Sequence, residues 1–573
     1  MARNIGVTFN GKNYVHPGAH ARINADAINT LGSPGAKTLA FVGSSEGGEP
    51  NKVHWFDNPT DAKAVLRGGD LMKAGELAWS PSLDGFGAGS IAFIRVEPAT
   101  QATLKKGNAT FTSLDWGAHT NRIQIKLEDG QAPGSKRITA YYWADEIREV
   151  YDNLGPIFNI KYKGAGTKAT LDVVADSQTK KAKTLTVKVD DKDILSFQLG
   201  DGEYSDINKI VYKLNDHVDI DASMVTFGNK NLKSDALDAV QNVDIKGATK
   251  DTAPYTVTAL NGDIAYQTRY SNLFKVDFTN TGTFPENFDF SYLAGATDGT
   301  SPASWTDQFA KLFGEGVYVV VPLTGDESIH AECARFIESQ SDSERNKMLG
   351  VYGGRLGETV DDVIGRALTF NSSRSVVAYP GITRATPNGE SETLAPYFTA
   401  ALVAGRIVGK ETGDPITLDY VSLIGVERLL KANEIDRLIQ AGVTCVEFIR
   451  QSNKKGYRIA KGVTTYQVDS NPSFREISMR ILSDELSGEL VETLEDKFAG
   501  GKGTLNSIAL IKNEVQSFLD RKVRDEVIVS YDPESVVVKL EGDRVYVDYA
   551  CVPTGAINFI LITTKYYQQQ ILA

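Results

Sequence analysis

Cysteine, histidine and long apolar runs are all scarce in this chain of 573 residues, and each scarcity removes a class of function. The cysteines are Cys333, Cys445 and Cys551, far apart and with no CxxC pair. Such a sparse, odd set argues against a disulfide scaffold and fits a reducing compartment. Of six histidines, His16 and His20 have the spacing of a shared helical face, but Pro17-Gly18 between them breaks that face, so no zinc site is expected. Apolar stretches such as Ile557–Ile562 fall well below the ~18 residues of a membrane span. The first residues carry no apolar signal core, so the chain is expected to fold and assemble where it is made, with no membrane insertion. A basic excess is missing too: 61 Lys+Arg stand against 73 Asp+Glu, a net charge of -12. That balance argues against the counterion-releasing grip of a nucleic-acid binder. No internal repeat or low-complexity segment is present.

What remains is 41% hydrophobic and 23% charged, the composition of a soluble protein with buried cores. The length suits about three or four domains. Residues 1–25 carry an alternating strand, Ile5, Val7 and Phe9, then Asn10-Gly11, a hairpin signal on a segment too small to hold a core and therefore read as an arm. Strands are expected at Thr38–Val42 and Ile91–Val96, with a helix at Asp61–Leu66 between them. From 101 to 255 the pattern turns to period-two alternation, as in Arg122–Leu127, Phe158–Tyr162 and Thr184–Val189, which predicts an inserted antiparallel β-rich domain.

Residues 26–100 and 256–430 read as one discontinuous α/β domain. Val317–Val321, Met348–Tyr352 and Val376–Tyr379 are its strands. The helices between them carry the faces Ile329, Cys333, Phe336, Ile337 and, behind a Thr359/Asp362 capping box, Val360, Val363, Ile364, Ala367, Leu368. That β-α-β-α-β order implies a parallel sheet with right-handed crossovers. Residues 431–555 read as a C-terminal α+β domain, with helices marked by Ile477, Ile481, Leu482, Leu486, Leu490, Leu494 and by Ile508, Ile511, Val515, Phe518, Leu519. Strands follow at Val527–Val529, Val536–Val538 and Val545–Val547, and residues 556–573 form a terminal strand arm. The fold class is thus a multidomain α+β and α/β protein: a parallel α/β region, an antiparallel β insert and a C-terminal α+β domain with β arms.

Chemical motifs are few. Gly43-Ser44-Ser45-Glu46-Gly47 matches a nucleophile elbow, which would make Ser45 a hydrolase nucleophile. The elbow needs a helix directly after the serine, yet Gly48-Glu49-Pro50 follows, so a glycine turn is the better reading. Gly85-Phe86-Gly87-Ala88-Gly89 precedes a strand where a dinucleotide fingerprint must open a helix. Gly405–Thr412 is out of register for a P-loop. Asp190, Asp191 and Asp193 lack the glycine and terminal glutamate of a calcium loop. No catalytic, metal or cofactor site is expected, and no cofactor.

Several segments, in order along the chain, resemble those of contractile-tail sheath proteins. Pro17-Gly18-Ala19-His20-Ala21-Arg22-Ile23 is similar to the family's Pro-Gly-Val-Tyr start, with Ala-His for Val-Tyr. Phe41–Pro50 resembles its first strand-and-glycine signature, Ser113–Ile123 a Gly-x-x-Gly-Asn strand, and Leu293–Gly299 a Leu-x-Gly-Gly-Thr-Asp-Gly motif. Ala441-Gly442-Val443, Arg458–Thr465 and Phe474-Arg475-Glu476-Ile477 follow in the family's order. The resemblance implies a homo-oligomer of hexameric rings stacked into a helical tube, contracting around a tail tube protein between a baseplate and a tail terminator. It implies a place in the virion after assembly in the host cytoplasm, with the C-terminal domain facing the tube. The family also includes sheaths of phage-derived bacteriocins and type VI secretion systems; the length and large β insert favour a phage.

A helical filament needs heterologous contacts that do not close. Strand-forming arms can supply them by adding to a neighbour's sheet edge. The residues expected to link subunits are Ile5, Val7 and Phe9 at one end and Ile557, Phe559, Ile560, Ile562, Tyr566 and Tyr567 at the other. The plainer alternative is that both strands pair within their own subunit. A carbohydrate-binding surface protein, suggested by the β-rich insert, is a rival that predicts monomers.

Overall fold

The structure, a computed structural model, describes residues 7–9, 12–14, 37–82, 86–200, 202–249, 252–342, 346–386, 389–451, 454–469, 472–498, 501, 503–541, 544–555 and 558. β1 (Val7–Phe9) and β2 (Lys12–Tyr14) pair antiparallel, Val7 opposite Tyr14 and Phe9 opposite Lys12, the pairing expected around Asn10-Gly11. The chain divides into two units, one of residues 1–45, 51–96 and 301–573 and the other of 46–50 and 97–300.

The first unit opens with β3 (Leu39–Gly43), β4 (Val53–Phe56), α1 (Pro59–Leu66), α2 (Gly69–Trp79) and β5 (Ile91–Arg95). β3 and β5 are buried at every residue and pair parallel, as unbroken apolar runs should. β4 and α2 are elements the sequence reading lacks.

The second unit begins with β6 (Thr103–Lys106), β7 (Ala109–Ser113), β8 (Gln124–Asp129), β9 (Lys136–Tyr142) and β10 (Ile147–Leu154). Then come β11 (Pro156–Tyr162), β12 (Ala169–Ala175), β13 (Ala182–Val189), β14 (Lys192–Gln198), α3 (Ile207–Asn215), β15 (Ile220–Met224), β16 (Val240–Asp244) and β17 (Tyr255–Thr258). α4 (Leu260–Gln267), β18 (Phe274–Phe278) and β19 (Phe288–Tyr292) complete it. Its strands form sheets ordered β18-β7-β6, β10-β9-β8-β19, β15-β11-β17 and β14-β13-β12-β16. The first two enclose a core that includes Phe111, Ile125, Ile138 and Phe274. The last two, with α3, enclose a separate core that includes Ile157, Leu171, Leu185, Ile210 and Val257. The insert is therefore longer than the expected 101–255. β18 and β19 lie beyond that boundary yet are hydrogen-bonded to β7 and β8, so residues 256–300 belong here and not to the α/β domain.

Back in the first unit run α5 (Thr306–Ala310), β20 (Val319–Pro322), α6 (Glu327–Asp342), β21 (Leu349–Gly353), α7 (Val360–Phe370), β22 (Ser375–Tyr379), β23 (Ile382–Ala385) and β24 (Ser391–Leu394). They are followed by α8 (Pro396–Val408), β25 (Tyr420–Val421), β26 (Gly425–Val426), α9 (Ala432–Gln440), β27 (Val443–Gln451) and β28 (Lys454–Ile459). The main sheet has nine strands ordered β25-β28-β27-β22-β21-β20-β3-β5-β4, parallel from β27 through β5. α2 and α8 cover one face over Phe41, Phe93, Val319 and Val351; α6 covers the other with Cys333 and Ile337 over Val42, Ile94 and Val320. The capping box forms as expected: the Asp362 amide donates to Thr359 Oγ1 at 3.3 Å and the Thr359 amide to Asp362 Oδ2 at 2.9 Å.

The C-terminal part contains α10 (Pro472–Arg475), α11 (Ile477–Phe498), α12 (Leu505–Arg524), β29 (Ile528–Tyr531), β30 (Val537–Glu541), β31 (Arg544–Asp548) and β32 (Cys551–Pro553). Its core joins Leu482, Leu486 and Leu490 of α11 to Val515, Phe518 and Leu519 of α12. The expected boundary at 431 is too early, because β27 and β28 belong to the nine-stranded sheet and Leu438 of α9 packs with Val377, Val443 and Cys445 of its strands.

Candidate assembly surfaces

Open parallel sheets bind ligands in the crevice at the carboxyl ends of their strands. Here the chain itself fills that crevice. A Cβ on Gly43, which ends β3, would stand 2.9 Å from Leu323 Cβ. Gly69, at φ +85 in the first turn of α2, packs so closely that a Cβ would lie 2.7 Å from Ser45 Cα. The Leu71 amide at that helix start donates to the Ser44 carbonyl at 2.9 Å, so the place a phosphate could take is already satisfied. Beyond β21, Arg366 holds the Glu358 carboxylate through both its terminal nitrogens, and the Arg355 amide adds a bond of 2.9 Å.

The motif serine fares no better as a nucleophile. Ser45 is buried and followed by turns and then β4, not by a helix. His119, which meets the motif at the Glu46 carbonyl, has Nδ1 3.0 Å from that oxygen and Nε2 2.9 Å from Asp115 Oδ2. Both ring nitrogens are engaged, so this histidine has none left to take a proton from a serine. The P-loop-like glycine, Gly405, lies inside α8, where a Cβ would stand 2.5 Å from Ala78 Cα; it lets two helices touch. Asp190 and Asp191 turn the β13–β14 hairpin at φ 48 and 64, and Asp190 accepts from the Thr167 and Lys168 amides. Those bonds, with the Thr167 hydroxyl foremost, hold its carboxyl below the usual range. Among the described residues no cluster of His, Cys, Asp or Glu is arranged to hold a metal. His16 and His20 lie outside the described residues.

Of the residues expected to link subunits, Val7 and Phe9 fall in β1. Ile5, Ile557, Phe559, Ile560, Ile562, Tyr566 and Tyr567 lie outside the described residues. The structure does supply edges that a strand could join. β29 pairs with β32, and β30 with β31, in two ribbons of two strands each among the described residues. Val538 and Val547, directly opposite in the second ribbon, pack on the α11–α12 core. Helix backing of this kind steadies a ribbon that would be marginal alone, and among the described residues no third strand pairs with its outer edges. Asn558 Nδ2 donates to Glu476 Oε1 at 2.9 Å, so the chain passes the start of α11 just before its terminal segment.

Sequence reasoning missed the buried charges that fix α11 to the sheet. Arg374 clasps Asp484 with two bonds of 2.9 Å, Tyr318 donates to the same carboxylate at 3.0 Å, and Arg480 joins them. Burial alone would raise the Asp484 pKa; the two arginines outweigh it and hold the carboxyl below its ordinary range.

Comparison with known proteins gives one consistent result. A family model described as the phage tail sheath protein central domain matches residues 298–465, and one described as the phage tail sheath C-terminal domain matches 469–566. The chain is 38% identical over 572 residues to the tail sheath candidate of Enterococcus phage phiEF24C, covering 99% of each. It is 36% identical over 574 residues to the tail sheath protein of Bacillus phage SP01, covering 98% of this chain and 97% of that one. The crystal structure of a sheath tail protein from Desulfitobacterium hafniense superposes with a TM-score of 0.56 at 13% identity, covering 94% of this chain and 97% of the other, a likeness of fold.

Proposed function

The chain belongs to the phage tail sheath protein family, and on that premise we propose that it polymerises as stacked hexameric rings around a tail tube and shortens from a metastable long state to drive the tube through a host envelope. The observation that carries this reading is identity of 36–38% with tail sheath proteins from end to end. The filled strand-end crevice supports it: the work comes from relaxation of an assembled state, not from a nucleotide. The tube protein, the baseplate and the tail terminator are the partners, with the C-terminal part toward the tube and the β-rich insert away from it. The terminal arms link neighbours by adding strands to sheet edges, for which the β29–β32 and β30–β31 ribbons are suited. Backbone pairing of that kind tolerates rotation of one subunit against the next.

Negative-stain microscopy of the purified chain tests the proposal. Hollow tubes, or rings that stack into them, should form without nucleotide, and tubes formed without tail tube or baseplate should resemble the contracted state. A chain that stays monomeric across salt and protein concentration overturns the polymer.

A further inference from the structure

The β27–β28 ribbon passes along one face from core to uncompensated charge. Val446 and Ile459, directly opposite, are buried in the main core. Phe448 and Tyr457 come next, their rings 5.2 Å apart. At the tip Arg450 stands opposite Lys455, and both are exposed. Like charges in that position destabilise a strand pair. On the ribbon's other face the same ladder sets Glu447 against Arg458 at 2.7 Å, the arrangement the tip lacks. Among the described residues neither Arg450 nor Lys455 makes an ion pair. Lys455 and Tyr457 also line an open groove of about 550 Å³ with Tyr420, Val421, Leu423 and Ile424. Its rim cation Arg384 is already held by Glu76 at 2.7 Å and Glu392 at 3.4 Å, so the free positive charge is at the ribbon tip.

α11 carries a surface of opposite character. Leu486 and Leu490 point to the core, while Gly488, Val491 and Glu492 lie on the other side of the helix and Asp496 follows one turn after Glu492 at its border. A glycine inside a helix destabilises it relative to alanine. Nothing lies within 4 Å of where a Gly488 Cβ would be, so packing within the subunit does not call for it. Val491 is 49% exposed beside it. Glu492 and Asp496 are exposed and make no ion pair among the described residues.

A helical polymer joins one surface of a subunit to a different surface of the next. Resting on the polymer reading above, we propose that the Arg450–Lys455 tip and Tyr420–Tyr457 groove of one copy receive the Gly488–Asp496 face of α11 from a second copy. The unpaired cations meet Glu492 and Asp496, Val491 enters the aromatic groove, and the missing side chain at Gly488 lets the helix approach closely.

Substituting K455E discriminates this role from a structural one. It places an acid opposite Arg450, which favours the ribbon, so the melting temperature should hold or rise. The critical concentration for tube formation should nevertheless rise about tenfold at low salt, as for loss of an interfacial charge pair. E492K alone should do the same, and the two together should restore assembly to within about threefold of the parent. K455E polymers forming at the parent's concentration, or a double variant no better than either single one, would overturn the proposal. So would K455E tubes that form normally alone but fail on added tail tubes, which would assign the groove to the tube. A parent chain that never polymerises defeats the earlier polymer reading instead.

Discussion

His330 is carried by α6 into a site closed to solvent. Its Nε2 lies 2.7 Å from the Thr324 carbonyl, and its ring packs 5.3 Å from Tyr352 and 6.4 Å from Phe370. Burial pushes its pKa down to about 4; Arg366 acts in the same direction, while the Thr324 bond, Glu358 and Asp326 oppose it. In the unfolded chain a histidine titrates near ~6.5. Between that value and about 4 the unfolded state binds more protons, so stability is full above the window and declines as pH falls through it. The melting temperature should therefore drop between about pH 7 and pH 5, and H330Q should remove most of that slope while costing some stability at neutral pH. An unchanged slope in H330Q would place the acid sensitivity elsewhere. Sites of this kind are hidden in sequence. Asp484 is 110 positions from Arg374 and reads along α11 as a polar break in an apolar stripe; only the folded chain shows it as a latch.

Single elements were legible where their own residues carry the pattern. The Thr359 cap and the apolar spacing behind it give α7 nearly to the residue, because cap and period are local. α2 is obscured by Gly68, Gly69 and Gly75, which break its pattern for reasons outside the helix. A Cβ at Gly75 would lie 2.8 Å from the Trp79 ring and 2.9 Å from the Phe93 ring, so tertiary packing requires the glycine. β4 is a short edge strand, half-buried throughout, with no alternation to read. The insert's alternation was legible, but not its end, since β18 and β19 find their partners by long-range pairing. That correction changes which piece can be removed. Residues 156–258 have their own core, and the chain enters and leaves them side by side, the Ala259 amide donating to the Gly155 carbonyl at 2.8 Å. Replacing 156–258 with a short glycine-serine linker should leave a soluble, folded chain that still forms tubes. Removing 101–255 should not, because β7 and β8 would be lost from beside β18 and β19. Microscopy and melting of the two deletions check this, and a 156–258 deletion that folds but stays monomeric would place the module in essential contacts.

At the scale of the whole molecule, two kinds of contact have to coexist in a contracting tube: one that survives motion and one that distinguishes states. Strand pairing suits the first role, since backbone bonds are short-ranged and indifferent to the side chains that slide past. Charged surfaces suit the second, because they are weakened by distance and by salt. The two roles can be separated by experiment. Deleting residues 566–573, or substituting Ile5→Pro, tests the proposed linking arms, since the first removes chain that would pair and the second removes a backbone donor. Both variants should melt like the parent yet form no tubes at low or high salt, because lost backbone pairing is not restored by changing the ionic atmosphere. K455E should instead approach parent behaviour as salt screens the charge contact in both. If the arm variants polymerise like the parent, the arms pair within their own subunit, and side-chain surfaces such as the β27–β28 groove carry the whole lattice.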